Sequence, residues 1–238
     1  MELKEVIYAR KSTRKFDMEE LDKSTLNKVI SYAHNLKRTH LDIKTEVVLL
    51  DPSEVMSIMT WKAPHYYAIF SEEKEGYLTN AGFMFQQLDL FIQSQGLGCC
   101  WLGLARTNKV IKGKKCVIML AFGKPAEGES NLRQLEEFNR KPMNQICDFF
   151  DEKIEPARLA PSSMNSQPWF FIHDDYKYHV YCQNPGIIKG IALKNFNKID
   201  IGITLAHIYV TNPIGFYYYE IENPKPLNKY YYVGTFTI

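Results

Sequence analysis

Residues 22–36 place Leu26, Val29, Ile30 and Ala33 on one face at helical spacing, and Asp22 stands where an N-cap is needed, so a helix is predicted there. Two short apolar runs, 46–50 and 66–70, have the length and composition of strands. A second helical stripe follows at Ala81, Met84, Phe85, Leu88, Phe91 and Ile92, and Phe83 and Leu90 widen it. A helix with so wide an apolar face is expected to be buried on most sides and to stop at Gly96. Residues 116–122 read as a buried strand ending in the turn Gly123-Lys124-Pro125. Residues 126–144 are polar and charged and make the best linker candidate.

The second half of the chain replays this order. Each half opens with an Arg-Lys pair, Arg10-Lys11 and Arg140-Lys141, and continues with a helix, a strand and a mostly apolar helix, at 79–95 and at 199–210. Each late helix runs into a glycine turn and a bulky segment, Gly98-Cys99-Cys100-Trp101 and Gly215-Phe216-Tyr217-Tyr218. Each half closes on a strand, 116–122 and 230–238. The pattern predicts a fused pseudo-dimer of two α+β units, residues 1–130 and 131–238, with higher oligomers left open.

Composition narrows the function classes. The chain has 238 residues, of which 45% are hydrophobic, enough for an ordinary core. A net charge of +2 gives no reason to expect nucleic acid or an anionic membrane as partner. No apolar run approaches the roughly 20 residues that span a bilayer. The start, Met1-Glu2-Leu3-Lys4-Glu5, is too charged for a signal peptide. Five irregularly spaced cysteines, Cys99 and Cys100 adjacent, fit reduced thiols and a cytoplasmic location. The histidines show no metal-binding spacing.

Three segments carry candidate chemistry. In Arg10-Lys11-Ser12-Thr13-Arg14-Lys15-Phe16, two arginines flank a hydroxyl, a set that can bind phosphate. By composition alone a solvated basic face explains the run as well. In Ala160-Pro161-Ser162-Ser163-Met164-Asn165-Ser166-Gln167-Pro168-Trp169, amides and hydroxyls sit between two prolines and against an aromatic run, which suits a polar heteroaromatic ligand or an ordinary turn. Gly96-Leu97-Gly98-Cys99-Cys100-Trp101-Leu102-Gly103 is not a dinucleotide fingerprint, since Trp101 stands where that pattern needs a small residue. Its glycines permit close backbone approach, or simply cap a helix.

Together these segments resemble the nitroreductase family of FMN flavoproteins, in particular a tandem, thermophile-type branch. The resemblance implies mainly antiparallel sheets packed by helices, an FMN site between two units, and NADH or NADPH as electron donor to a nitro, quinone or similar acceptor. Carried over by residue, Arg10, Lys11 and Ser12 would bind the FMN phosphate, with Arg133 as a further basic contact. Arg14 would lie near the flavin N1/O2 edge. Cys100, Trp101, Leu102 and Gly103 would line the ring near N5. Pro161, Ser162, Ser163 and Asn165 would cover it from the other unit, and Gln167 would support that loop. No side chain is required as catalytic acid or base. The family's proline-serine loop is missing from its expected place near 34–40, which reads His-Asn-Leu-Lys-Arg-Thr-His, and occurs only in the second half. One complete site and one degenerate site are therefore expected. The rival reading is a flavin-binding protein without turnover, serving storage or sensing.

Overall fold

The computed structural model describes residues 1–185 and 190–238. The chain opens with a short helix, α1 (Leu3–Ile7), and then α2 (Lys23–Ala33). The Asp22 side chain accepts the Thr25 N–H at 2.9 Å and starts α2, which turns Val29 and Ala33 inward. The next elements are β1 (Thr45–Leu50), β2 (Val55–Met56), β3 (His65–Ser71), α3 (Tyr77–Ser94), β4 (Gly98–Leu102), β5 (Arg106–Thr107) and β6 (Lys115–Gly123). Strands β2 and β5 form a separate small ribbon. The others make an antiparallel sheet in the order β1-β3-β6-β4. As its apolar width predicts, α3 is buried nearly all round. It ends where expected. Gly96 takes φ +78° and donates to Gln93 O, and Leu97 N–H reaches back to Ile92 O, which closes a Schellman motif.

The second half contributes a short helix α4 (Glu155–Arg158), β7 (Trp169–Asp174), β8 (Lys177–Gln183), α5 (Gly190–Thr211), β9 (Tyr217–Tyr219) and β10 (Tyr230–Thr237). Its sheet is also antiparallel, in the order β7-β8-β10-β9. In both sheets the four strands therefore stand in the order first, second, fourth, third, with the long helix between the second and third. Three features differ from the sequence expectation. Helix α5 begins nine residues before position 199, because Lys194-Asn195 and Asn197-Lys198 interrupt the apolar period. Strand β8 forms a hairpin with β7 through Asp175, whose φ is +60°. The polar stretch 126–144 is not a free linker, since Lys11 N–H donates to Asn131 O and Arg133 N–H to Ala9 O.

Helix α3 lies on the first sheet, α5 on the second, and the two helices pack against each other. They touch backbone to backbone. A Cβ added at Gly82 would stand 2.1 Å from Ile199 O, and one at Gly202 would stand 2.0 Å from Thr79 O. The relation is reciprocal: each glycine faces the carbonyl three residues before the other. A single apolar core runs through both helices and both sheets.

This seam also holds polar groups. His207 Nδ1–H donates to Pro156 O at 2.8 Å, so its Nε2 accepts from Gln86 Nε2 at 3.1 Å. Gln86 also donates to Asp89 Oδ2, which pairs with Arg10 Nε at 2.9 Å. Gln93 bridges Asp89 Oδ1 and the Lys11 N–H. Burial holds the His207 pKa down to about 3, with Arg10 and Arg140 adding to the effect. Asp200, also in α5, is fully buried, and its pKa is pushed well up by burial. Its carboxyl accepts the Ser163 N–H.

Two predictions follow from the seam. Gly202→Ala forces the helices apart and should cost about 3 kcal/mol or more, read as a Tm fall on the order of 6–12 °C. The second concerns pH. His207 stays neutral in the folded chain but protonates in the unfolded one below the ordinary histidine pKa. Going from pH 7 to pH 5 should therefore remove about 2 kcal/mol of stability through this one residue. Asp200 acts with the opposite sign. Its raised folded pKa makes it destabilising at neutral pH, and acid relieves this. Against wild type in denaturant melts, His207→Gln should lessen the acid sensitivity and Asp200→Asn should steepen it. Unchanged slopes in both variants would refute the assignment.

Candidate functional site

The basic segment is laid along the edge of the first sheet. Ser12 bridges Cys99 in parallel, and Thr13 N–H donates to Cys99 O at 3.0 Å. Gly98 makes this approach possible, because a Cβ there would fall 2.6 Å from the Thr13 side chain. The segment's side chains divide accordingly. Arg10 turns inward and is 1% exposed, its Nε on Asp89 and its Nη2 3.3 Å from Ser12 Oγ. Ser12 is half-buried, and Lys11 and Arg14 are exposed. Cys99 and Cys100 are buried free thiols with pKa values raised by burial, and Arg14 opposes the rise at Cys100. They are packing residues, held as poorly nucleophilic thiols.

The loop from Pro161 to Pro168 is held in an unusual conformation. Met164, Asn165 and Gln167 have φ of 51°, 54° and 46°. Left-handed backbone at residues other than glycine costs about 1–3 kcal/mol each and persists only where the surroundings enforce it. Internal bonds run from Gln167 N–H to Ser162 Oγ, from Asn165 N–H to Ser162 O, and from the Gln167 amide to Asn165 O. External anchors come from four other residues. Asp200 takes the Ser163 N–H, and Asn139 O takes the Asn165 amide. Arg140 Nη1 donates to Asn165 Oδ1 at 2.6 Å. Lys141 donates to Gln167 through both its N–H and its Nζ. The Gln167 side chain is thus spent on the loop, as is most of the Asn165 amide. Pro161, Ser162 and Ser163 are half-buried, and Met164 stands 81% exposed at the tip.

The glycine segment and the loop 161–167 both meet α5. A Cβ at Gly103 would lie 2.9 Å from the Phe196 ring, so the end of the glycine segment touches this helix. Phe196 is one turn before Asp200, which holds Ser163. Leu102 is buried, and Trp101 is half-buried and meets Phe85 edge-on. The Trp101 Nε1 and Arg140 Nε are buried without a hydrogen-bond partner among the described residues. Arg133 stacks on Phe138 at 3.6 Å, donates through Nε to Arg10 O, and has its pKa lowered by burial and by Arg10. Arg140 stands 5.5 Å from the same ring, its pKa pulled down to about 9 by burial, Arg133, Arg10 and Arg158.

Sequence reasoning placed Arg140 in a degenerate half and missed its bond to the covering loop. It also missed the supports Asp89, Gln93 and Asp200. The spacing of Gln86, Asp89 and Gln93 on one stripe of an otherwise apolar helix was the readable signal for two of them.

A family model described as "Putative TM nitroreductase" matches residues 2–212. A crystal structure of a "putative nitroreductase" from Thermotoga maritima MSB8 is similar at 21% identity, over 99% of this chain and 92% of that one, with a TM-score of 0.66. A nitroreductase family protein from Clostridium difficile 630 is 15% identical over 64% of this chain and 99% of its own, with a TM-score of 0.49. An "FMN-dependent Nitroreductase" from Clostridium difficile R20291 is 16% identical over 57% of this chain and 95% of its own, with a TM-score of 0.44. No match was found among curated proteins. Among the described residues no helix is long and apolar enough to cross a membrane. The segments on either side of the seam therefore have a family context, and the chain belongs to the nitroreductase family.

Proposed function

We infer that the protein is an FMN-dependent NAD(P)H oxidoreductase with one flavin site per chain, built at the seam between its halves. The observation that carries this reading is the meeting, around α5, of the strained loop 161–167 and the end of β4, with the half-buried Arg140 guanidinium bonded to the loop and forming no ion pair among the described residues. The buried unpartnered donors at Trp101 and Arg140 fit a polar ligand between these elements. Ser12, Lys11 and Arg133 would hold the phosphate end, with Arg10 fixed behind them by Asp89. Backbone groups of Cys100 to Gly103 would line the ring, and Pro161, Ser162, Ser163 and Asn165 would cover it. Arg14 is an exposed cation on the same segment and would favour the negative charge that reduction places on the N1/O2 edge. Bound FMN would supply the two-electron relay between a nicotinamide donor and a nitro, quinone or similar acceptor. The chain's own task is to bind, orient and partly desolvate.

The single-site count has separate support. The equal strand order of the two sheets and the reciprocal glycine crossing fit a duplicated unit. At residues 34–40, where the first half would carry its covering loop, the chain is bonded down instead. Lys37 exchanges hydrogen bonds with Gln87, Thr39 N–H donates to Asn80, and His40 reaches Glu220 at 3.3 Å beside Tyr218.

The test is the visible spectrum of the purified chain titrated with FMN, followed by anaerobic addition of NADH or NADPH. One flavin per chain, bleached by at least one nucleotide and restored by a quinone or nitroarene, is expected. Two flavins per chain would refute the single-site count. Bound flavin that neither nucleotide bleaches would leave a binding protein.

A further inference from the structure

The resemblance assigns the phosphate to Arg10, Lys11, Ser12 and Arg133, but the charges at the seam are balanced differently. Arg10 is fully buried and its charge is matched by Asp89 at 2.9 Å. Arg158 is matched by Glu155. Among the described residues Arg133 and Arg140 form no ion pair. The carboxylate that bears on Arg133, Glu137, is exposed and already accepts the Gln134 N–H at 2.7 Å. Both guanidinium groups lie against Phe138, a buried ring, at 3.6 and 5.5 Å. Two half-buried guanidinium groups without a counter-ion are unfavourable unless an anion joins them. A phosphate monoester carries about −1.5 to −2 at neutral pH and accepts paired guanidinium bonds. Arg140 Nη1 is bonded to Asn165 Oδ1 and Nη2 to Leu159 O at 3.3 Å, while Nε has no partner.

We propose that Arg140 is a phosphate-monoester ligand, acting with Arg133 across Phe138, and that it ties the bound anion to the covering loop through Asn165. On the reading above the monoester is that of FMN, so the proposal rests on that reading. Arg10 then serves as the fixed backing of the site, and the group that carries binding from the phosphate to the loop comes from the second half.

The experiment compares FMN with riboflavin, which lacks the phosphate, by fluorescence titration of the full chain. Arg140→Gln removes both the loop tie and the charge, and should weaken FMN by about 10- to 100-fold more than it weakens riboflavin. Asn165→Ala removes the tie together with the bond to Asn139 O but keeps the Arg140 charge, and should weaken both flavins by a similar factor. Inorganic phosphate should compete with FMN in wild type and lose that competition in Arg140→Gln. Equal losses for FMN and riboflavin in Arg140→Gln would reduce Arg140 to a loop support and overturn the proposal, as would unchanged FMN affinity. Wild type that binds neither flavin, yet gains Tm from inorganic phosphate in an Arg140-dependent way, would overturn the flavin reading and keep the phosphate site.

Discussion

The backbone contact between α3 and α5 at Gly82 and Gly202 governs the rest of the molecule. Two helices that meet without a Cβ at the crossing come closer than ordinary side chains allow. At that distance both are buried along the crossing, and among the described residues of α5 only Lys194 and Asn195 are exposed. The price is that α3 must keep polar groups inside. Gln86, Asp89 and Gln93 lie on one stripe, bonded to one another through Asp89, and the other half and the Arg10 segment supply their remaining partners. The crossing therefore positions both segments. The Arg10–Arg14 segment is bonded to the end of α3, and the loop 161–167 to Asp200 of α5.

Burial also sorts the cations. A guanidinium taken fully out of water needs a carboxylate, and Arg10 has Asp89. Arg133 and Arg140 stay at a half-buried edge, where among the described residues neither forms an ion pair and each is held by ring stacking and carbonyl or amide acceptors. The same sorting separates the loop's side chains. Ser162, Asn165 and Gln167 are used to hold a left-handed backbone.

What could be read in the sequence follows from how local each signal is. The Asp22 cap, the stop at Gly96 and the strands of the first sheet depend on a few adjacent residues, and they stand where periodicity and turn chemistry put them. The start of α5 and the β7–β8 hairpin depend on tertiary partners, so the apolar period alone did not reveal them. The repeated Arg-Lys pair misleads for the same reason. Arg10-Lys11 lies against Asn131 to Arg133 and the end of α3, whereas Arg140-Lys141 clasps the loop through Asn165 and Gln167. Two identical dipeptides take unlike places because the elements beside them differ. The basic segment and the loop 161–167 stand out in the sequence as motifs, but Asp89 and Asp200, which hold them, do not, because a lone buried acid has no motif.

The unlike fates of the two loops argue for a division of labour between the halves. Around 34–40 the chain is stitched to α3 and closed against β9 by His40 and Glu220, with ordinary backbone angles. Around 161–167 three residues are kept left-handed by anchors drawn from α5 and from the stretch 139–141. Conformational strain of this order survives only where a network over-determines it, and that network includes a buried acid and an unpaired cation. The first half supplies the edge strand and the segment beside it but no such loop. The second supplies the loop and Arg140, while its β9 faces the closed stretch at 34–40. The two halves thus bring unlike pieces to the seam that the glycine crossing makes.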